Sequence, residues 1–474
     1  MHANKICCAV IWFIVFILPS ISNAAKIELS SCADVVVQTA VNNANTGDVI
    51  ILPAQSCTWT STVAITSNKK LTLQGKGYGN TVITRDGNAI SMNESGSRIT
   101  GIGFVLPSSD AAQIDVKGTG WRIDHCRFTN NSASSRISIL VNGTNVASTP
   151  AGLIDNNDFI QGRIVVFRGS NLTEENIIWG TPHKFGNADI DGSSNVYIED
   201  NTFYKTVSGG GNVIDANLAG SYVARYNVIT GVTQFQTHSL QSSSERGTYA
   251  WEVYGNSFVA SSAVYTWLYF RSGTGFIFNN AIAGAYTYGP VFDNVRSYLA
   301  VSGTGETGLC DGSSSWDGNA NSNGWPCRDQ IGRGSDAAVW SLGGAYTQSS
   351  IPAYLWSNIK SSSNQTVTVA NGCGSWIVAG RDYYQSPSSY SSFDGSSGVG
   401  CGPLSARPTT CSTGAGYWAT DQSCTSLSGM VGVKPPTPIS GTLYKCTATN
   451  TWTSYYTPFT YPHPLRKPQP PQWK

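Results

Sequence analysis

The chain has 474 residues, a formal net charge of +1 and only 12% charged residues, against roughly a quarter in an average soluble domain. Proteins that hold a polyanion by bulk electrostatics carry a marked excess of basic residues. The composition therefore argues against nucleic acid as a partner.

The N-terminal segment has the pattern of a secretory signal peptide. A short basic stretch from Met1 to Lys5 precedes an apolar run from Ile6 to Ile21, and small residues up to Ala24 offer a cleavage site. The order and length of these parts are typical of export rather than of a membrane span. We expect a signal peptide over residues 1–24, a periplasmic or extracellular location, and no membrane partner.

An exported chain can oxidise its cysteines. Cys32 and Cys57 flank the stretch DVVVQTAVNNANTGD, whose apolar spacing predicts a short amphipathic helix ending near Gly47. We expect this pair to form a disulfide that tethers the helix as a cap, and Cys310 with Cys327 to close a glycine-rich loop. The remaining cysteines are an odd set whose pairing the sequence leaves open: Cys373, Cys401, Cys411, Cys424 and Cys446.

A phrase with fixed internal spacing recurs in the middle of the chain. In each copy a polar or small residue is followed two positions later by a large apolar one. The first set is Cys126, Asn157, Asn201, Asn227, Asn256 and Asn280, and the second is Phe128, Phe159, Phe203, Ile229, Phe258 and Ile282. The copies are 24 to 31 residues apart, with one step of 44 between Phe159 and Phe203. This pattern indicates stacked repeats with one insertion.

Within each repeat the apolar residues alternate with polar ones, and clusters of Gly, Asn, Ser and Asp separate the runs, which is strand periodicity. Three short strands per repeat predict an all-β fold, a right-handed parallel β-helix with its asparagines in one ladder. We assign residues 25–300 to this β-helix and its N-terminal cap. Residues 301–474, rich in Cys, Tyr and Pro, are predicted to form a loop-rich C-terminal module lying over the β-helix or its last coil.

Strand alternation also predicts which side chains point away from the core. On one sheet the outward residues are, repeat by repeat, Asp189 and Asp191, then Asp215, then Gln234, Gln236 and His238, then Tyr265, Trp267, Tyr269 and Arg271. Carboxylates close together need a cation or a shared proton between them, and a histidine can move protons near neutral pH. Aromatic rings beside an arginine suit sugar faces and a uronate carboxylate. Together these residues favour a carbohydrate groove, although each alone could be a turn former, a solvated side chain or packing under the C-terminal module.

Five stretches resemble the pectate lyase superfamily: WRIDHCRF, ADIDGSSNVYIEDNTF, RYNVITGV, LQSSSERG and RSGTGFIFNN. They fall between Trp121 and Ile282 and are more specific to the β-helix than to the chemistry. The resemblance implies a calcium ligand at Asp189 and a substrate-binding arginine at Arg271. The chain departs from the family where those enzymes carry a groove lysine and a catalytic arginine, because Gln234 and Thr266 stand there.

A polysaccharide lyase is the function that these residues favour most. His238 would accept the proton next to a uronate carboxyl group, and Arg271 would stabilise the enolate-like charge. Asp189 and Asp215 would hold Ca²⁺ against that carboxylate. The predicted substrate contacts are Asp191, Gln236, Arg246, Tyr265, Trp267 and Tyr269. The partner would be a polysaccharide, and an acidic one.

Two other functions stay open. The outward order Asp, Asp, His, Arg also resembles polygalacturonases, which are inverting hydrolases with carboxyl groups roughly 6.5 to 9.5 Å apart. The adjacent aspartate pair of those enzymes is missing, because Ala216 follows Asp215. The third possibility is a non-catalytic glycan-binding, adhesin or surface structural protein. The sequence determines neither the polysaccharide nor the oligomeric state.

Overall fold

The computed structural model describes residues 24–66, 69–93, 96–108, 111–131, 136–143, 151–167, 195–206, 212–239, 247–293, 330–332, 350–370 and 377–466. This part of the chain is mostly β-strand. It contains one α-helix, Asp34–Asn43, and three short 3-10 helices, Tyr390–Ser392, Leu404–Ala406 and Pro464–Arg466. No helix within it is long and apolar enough to cross a bilayer.

Successive strands join three sheets in turn, and each strand pairs with the strand one circuit later. The first sheet contains Lys26–Glu28, Val49–Ile51, Thr72–Gln74, Arg98–Thr100, Thr119–Asp124, Ala151–Asp155, Val196–Glu199, Ser221–Arg225, Ala250–Tyr254, Thr274–Phe278, Ala353–Trp356 and Tyr383–Gln385. The second contains Ser56–Thr58, Val82–Thr84, Gly103–Leu106, Arg127–Asn130, Asp158–Ile160, Thr202–Lys205, Val228–Gly231, Ser257–Thr266, Ala281–Tyr288, Ile359–Lys360 and Ser363–Asn364.

The third sheet contains Val63–Ile65, Ile90–Met92, Ile114–Val116, Arg136–Asn142, Gly162–Phe167, Asn212–Asn217, Gln234–Thr237, Leu268–Phe270, Val291–Phe292 and Thr368–Val369. Pairing in the three sheets is parallel except between Ile359–Lys360 and Ser363–Asn364. Residues that occupy the same position of the repeated phrase pair with each other, since Ile154 pairs with Ile198 and Ile198 with Ala224. These aligned apolar side chains fill the core between the sheets.

The predicted file of asparagines forms a hydrogen-bond ladder at the turn between the first and second sheets. Its members are Asn157, Asn201, Asn227, Asn256 and Asn280. Each side-chain Nδ2 donates to Oδ1 of the next member at 2.9 to 3.1 Å. Asn358 extends the ladder, 2.8 Å from Asn280. At the other end Asn157 accepts the backbone N–H of Cys126, whose thiol is free and buried as expected.

The predicted domain boundary near residue 300 falls inside this stack. Five later strands, from Ala353–Trp356 to Tyr383–Gln385, join the sheets that earlier repeats began. These strands are two to four residues long. Around Asn358 the phrase is incomplete, because Lys360 stands where earlier copies have a large apolar residue.

The N-terminal helix lies against the first circuit, as the cysteine spacing predicts. Cys32 and Cys57 form a disulfide with a Cα–Cα distance of 5.9 Å. Val37 and Val41 are buried in the core. Gln38 ties the helix to the third sheet, because its side chain donates to the Ala64 carbonyl and accepts the Ala64 N–H.

A separate C-terminal sheet follows the stack, with strands Val399–Gly402, Gly416–Ala419, Thr442–Ala448 and Thr451–Tyr456. Two disulfides stabilise it, Cys401–Cys424 and Cys411–Cys446, and they pair four of the five cysteines whose connectivity was open. Cys373, Cys310 and Cys327 lie outside the described residues.

The C-terminal sheet and the tail after it cover the outer face of the first sheet. Phe276 stacks on Tyr456 with ring centroids 3.9 Å apart. Farther along, Arg225 is fully buried, pairs with Glu199 and donates to the carbonyls of Phe459 and Thr460. The described C-terminal residues therefore pack as an aromatic-rich layer on the stack, and the candidate site lies on another sheet.

Candidate functional site

Asp215 and His238 meet on the outer face of the third sheet. Asp215 lies in strand Asn212–Asn217, between the inward residues Ile214 and Ala216. Its register partner in the next strand is Gln236, so His238 is displaced by two residues and reaches Asp215 diagonally. His238 Nε2 lies 3.1 Å from Asp215 Oδ2, with 23% and 7% of the side chains exposed. Strand alternation thus brings together two of the residues predicted to be catalytic.

Arg271 completes this cluster from the following circuit. Its Nε donates to the Thr237 carbonyl at 3.0 Å, and its Nη2 lies 3.4 Å from His238 Nε2. Gln236 places its side-chain nitrogen 3.0 Å from the same His238 atom. A guanidinium can only donate, whereas a carboxylate can only accept. His238 Nε2 can therefore accept from Arg271 or Gln236 when unprotonated, and donates to Asp215 once it carries a proton.

Further polar groups surround the Asp215 carboxylate. Oδ2 accepts from the Asn212 side chain at 2.7 Å and lies 3.7 Å from Nη1 of Arg163. Oδ1 is buried and has no hydrogen-bond partner among the described residues. Hydrogen-bond donors and cationic side chains therefore surround the Asp215 carboxylate and stabilise its negative charge.

The predicted calcium site lies only partly within the described residues. Ca²⁺ takes six to eight oxygen ligands, and no group of three or more His, Cys, Asp or Glu side chains in the described ranges could hold a metal ion. Asp215 offers a single free oxygen beside Arg163 and Arg271. The other predicted ligand, Asp189, lies outside the described residues.

Tyr269 and Asp293 form a second polar pair beside Arg271. The Tyr269 hydroxyl donates to Oδ2 of Asp293, and the Arg271 guanidinium lies 5.2 Å from the centre of the Tyr269 ring. Burial and the Asp293 carboxylate raise the pKa of the Tyr269 hydroxyl. Tyr269 is thus held as a neutral ring with one edge fixed to the protein.

The exposed aromatic surface next to this pair is built by Tyr265 and Tyr288. Tyr265 is 47% exposed and Tyr288 42%. Their ring centroids are 5.1 Å apart, and Tyr265 lies edge-to-face with Tyr269 at 6.0 Å. Tyr265, Tyr269 and Tyr288 therefore form a continuous aromatic surface that leads away from Arg271, and we call this surface the tyrosine platform.

The prediction that Trp267 points outward is wrong. Trp267 is fully buried and packs against Phe258 in the core. The second-sheet strand ends at Thr266 and the third-sheet strand begins at Leu268, so Trp267 occupies the corner between two sheets. Alternation does not hold across a corner, and all three of these residues are buried.

Other predicted site residues have mixed outcomes. Gln234 is part-buried, and its side-chain nitrogen lies 3.2 Å from Oε1 of Gln236. Asp189, Asp191 and Arg246 lie outside the described residues, and their predicted roles stay predictions.

Sequence reasoning missed three residues of the cluster: Arg163, Asp293 and Tyr288. Arg163 directly precedes Ile164, which faces the core and pairs with Ile214. Asp293 follows the strand Val291–Phe292 as directly as His238 follows its own strand. The same alternation rule, applied one circuit earlier and one circuit later, would have found both.

Lys205 adds positive charge near Arg163. Its side chain is buried, and burial together with the Arg163 guanidinium lowers the pKa of the Lys205 ammonium to about 8. The cluster thus combines several cations with few carboxylates, an arrangement that favours an incoming anion.

No known family profile matches the chain, and no curated protein is detectably similar to it in sequence. Among solved structures, an alginate lyase from Paenibacillus sp. str. FPU-7 is 15% identical with a TM-score of 0.37, over 56% of this chain and 98% of that one. A mannuronic acid specific polysaccharide family 6 lyase from human gut microbiota is 16% identical with a TM-score of 0.34, over 57% of this chain and 66% of that one. Likeness at this level carries no argument about activity.

Proposed function

We propose that this chain is an exported polysaccharide lyase that cleaves a uronate-containing polysaccharide by β-elimination on a right-handed parallel β-helix. The observation that carries the proposal is the contact of His238 Nε2 with Asp215 Oδ2 and Arg271 Nη2 on one sheet face. A proton acceptor and a carboxylate-binding cation are thereby set side by side.

Arginines supply the positive charge in this proposal. Arg271, with Arg163 across Asp215, would pair with the uronate carboxylate, and this pairing makes the proton on the adjacent carbon more acidic. Guanidinium groups suit the role because they donate two parallel hydrogen bonds to a carboxylate. Calcium would add to this charge only through residues outside the described ranges.

His238 would act as the base. It takes the C5 proton of the uronate at Nε2, and the resulting imidazolium donates to Asp215, which stabilises its charge. The electron pair forms the C4–C5 double bond as the C4–O4 bond breaks. The leaving oxygen takes a proton from water, and the hydroxide so formed removes the proton from His238 and restores the base. The new non-reducing end is a 4,5-unsaturated uronate.

Asp215 and Asp293 are too far apart to serve together as the carboxyl pair of an inverting hydrolase, and the predicted pair, Asp189 with Asp215, lies partly outside the described residues. An inverting hydrolase needs two carboxyl groups roughly 6.5 to 9.5 Å apart. Asp215 and Asp293 face the same side of the third sheet but lie three strands apart, which is about 14 Å at the usual strand spacing. Asp293 is also engaged by the Tyr269 hydroxyl.

The tyrosine platform would bind the neighbouring sugar units. Tyr265 and Tyr288 present exposed rings next to Arg271's partner Tyr269, and aromatic rings stack on the C–H faces of pyranoses. The polymer would therefore run from the His238 cluster over these tyrosines.

One screen tests the proposal and its alternatives. The full chain is incubated with a panel of acidic and neutral polysaccharides, and the products are followed by ultraviolet absorbance and by reducing-end assay. Unsaturated product supports a lyase. Reducing ends without unsaturation indicate a hydrolase, and absence of any product across the panel indicates a binding or structural protein.

A further inference from the structure

The C-terminal sheet carries a cavity on the face turned away from the first sheet. Leu443 and Trp418 are buried in the aromatic cluster that packs on the first sheet, so strand alternation turns Thr442 and Tyr444 to the opposite face. A cavity of about 470 Å³ opens there. This volume lies within the range of roughly 300 to 1,000 Å³ that is usual for small-molecule sites.

Hydroxyl groups dominate the lining of this cavity. Ser440, Thr442 and Thr457 contribute hydroxyls, and Tyr444 contributes an aromatic ring. The Thr420 hydroxyl belongs to the wall, because it donates to the Ser440 carbonyl and accepts the Gln422 N–H. Asp421 adds an exposed carboxylate. Hydroxyls donate and accept, a carboxylate accepts from two neighbouring sugar hydroxyls, and a tyrosine ring packs on a pyranose face.

The cavity wall is held in place before any ligand binds. The Arg407 guanidinium lies 4.4 Å from the centre of the Tyr444 ring. The Gln422 side chain bridges the wall, donating to the Pro438 carbonyl at 2.9 Å and accepting the Ser440 N–H at 3.1 Å. The Cys401–Cys424 disulfide anchors the same loop. A wall fixed in this way loses little conformational entropy on binding.

We propose that this cavity is a second glycan-binding site and that it takes a neutral oligosaccharide. Asp421 is the charged residue of its lining, which contains no Lys, Arg or His, so the lining offers no cation to pair with a uronate carboxylate. The cluster around Asp215 and His238 on the third sheet is instead rich in positive charge, because Arg163 and Arg271 lie beside Asp215. The cavity would thus hold the protein on a neutral polymer, independently of any activity at the cluster.

Calorimetric titration of the full chain tests this site. The ligands are neutral gluco-, manno-, galacto- and xylo-oligosaccharides, with an oligouronate as the acidic comparison. We expect one neutral series to bind, and Tyr444→Ala to weaken it by at least about tenfold because aromatic anchors dominate such contacts. Asp421→Asn, an exposed change that leaves folding intact, should also weaken binding. Thr447→Ala, on the same strand but outside the cavity lining, should leave binding unchanged.

The remaining outcomes would overturn the site. These are no binding of any neutral oligosaccharide, equal binding by the parent and Asp421→Asn, or an oligouronate whose binding Asp421→Asn weakens. His238→Ala should bind the neutral ligand like the parent. Failure at this cavity therefore leaves the lyase proposal intact, and a failed activity screen leaves the cavity intact.

Discussion

His238 Nε2 lies 3.1 Å from Asp215 Oδ2, across one strand spacing of the third sheet. The same nitrogen lies 3.4 Å from Nη2 of Arg271. The first contact requires a hydrogen on Nε2 and the second a lone pair on Nε2, so gain or loss of that hydrogen exchanges one partner for the other. A base that must gain a proton and later lose it needs both partners.

Replacing His238 with Ala should lower kcat by roughly 10²- to 10⁴-fold, the usual contribution of a positioned base. Binding of polysaccharide should change little, because a base acts on the transition state. Initial rates and equilibrium binding on the same substrate measure the two effects. His125→Ala is the matched control, since His125 is exposed and its ring contacts Asp124 on another sheet. Parent-like turnover in His238→Ala would exclude this histidine as the base.

Replacing Arg271 with Lys should keep the charge but lose the paired hydrogen bonds to the uronate carboxylate. The loss of such charged hydrogen bonds costs about 1.5–3 kcal/mol, so kcat/KM should fall roughly 10- to 150-fold. Arg127→Lys serves as the control, because Arg127 pairs with the part-exposed Asp158 on the second sheet. If kcat/KM falls equally in Arg271→Lys and Arg127→Lys, Arg271 affects the stability of the fold and does not pair with the substrate.

Treatment with a chelator should leave the initial rate unchanged, because the described groups around Asp215 turn nitrogen atoms toward it, from Arg163, Asn212 and His238. Rates are compared before dialysis against EDTA, after it, and after calcium is restored. Loss of activity that calcium alone restores would contradict this expectation and favour the calcium ligand predicted at Asp189. The variant Asp189→Ala, tested with and without calcium, then locates the ion.

The sequence predicts a structural feature well when the residues that form it lie close together in the chain or repeat at a fixed spacing. The asparagine ladder and the outward position of His238 follow from a repeated phrase and a two-residue alternation. Trp267 fails because it lies at a corner, where alternation stops. Composition predicts that the C-terminal residues lie over the β-helix, but it does not predict which sheet they cover, since Arg225 meets Phe459 from 234 residues away.

Replacing Asn227 with Ala should destabilise the stack strongly. Asn227 Oδ1 accepts from the backbone and side chain of Asn201, and its Nδ2 donates to Asn256 and to the Ile198 carbonyl. Each buried group left without a partner costs about 1–3 kcal/mol, so we expect a loss of at least about 3 kcal/mol in urea unfolding. Asn80→Ala, at an exposed turn, should change stability by no more than about 0.5 kcal/mol.

Replacing Glu199 with Gln should uncouple the C-terminal tail from the first sheet. Burial alone would raise the pKa of Glu199, but Arg225 and Arg466 outweigh burial and hold it below its ordinary value of 4.5. A carboxyl group with a lowered folded pKa contributes stability that is present above the unfolded pKa and is lost as the pH falls through the folded one. The parent should therefore lose stability below about pH 4.5 more steeply than the variant.

At pH 7 the same substitution should cost about 3–5 kcal/mol, because the fully buried Arg225 loses its charged partner. Urea unfolding between pH 3 and pH 7 measures both effects. Asp158→Asn breaks an exposed pair with Arg127 and should cost no more than about 1 kcal/mol. Parallel pH profiles for the parent and Glu199→Gln would contradict this prediction, because they would mean that the pKa of Glu199 is the same in the folded and unfolded states.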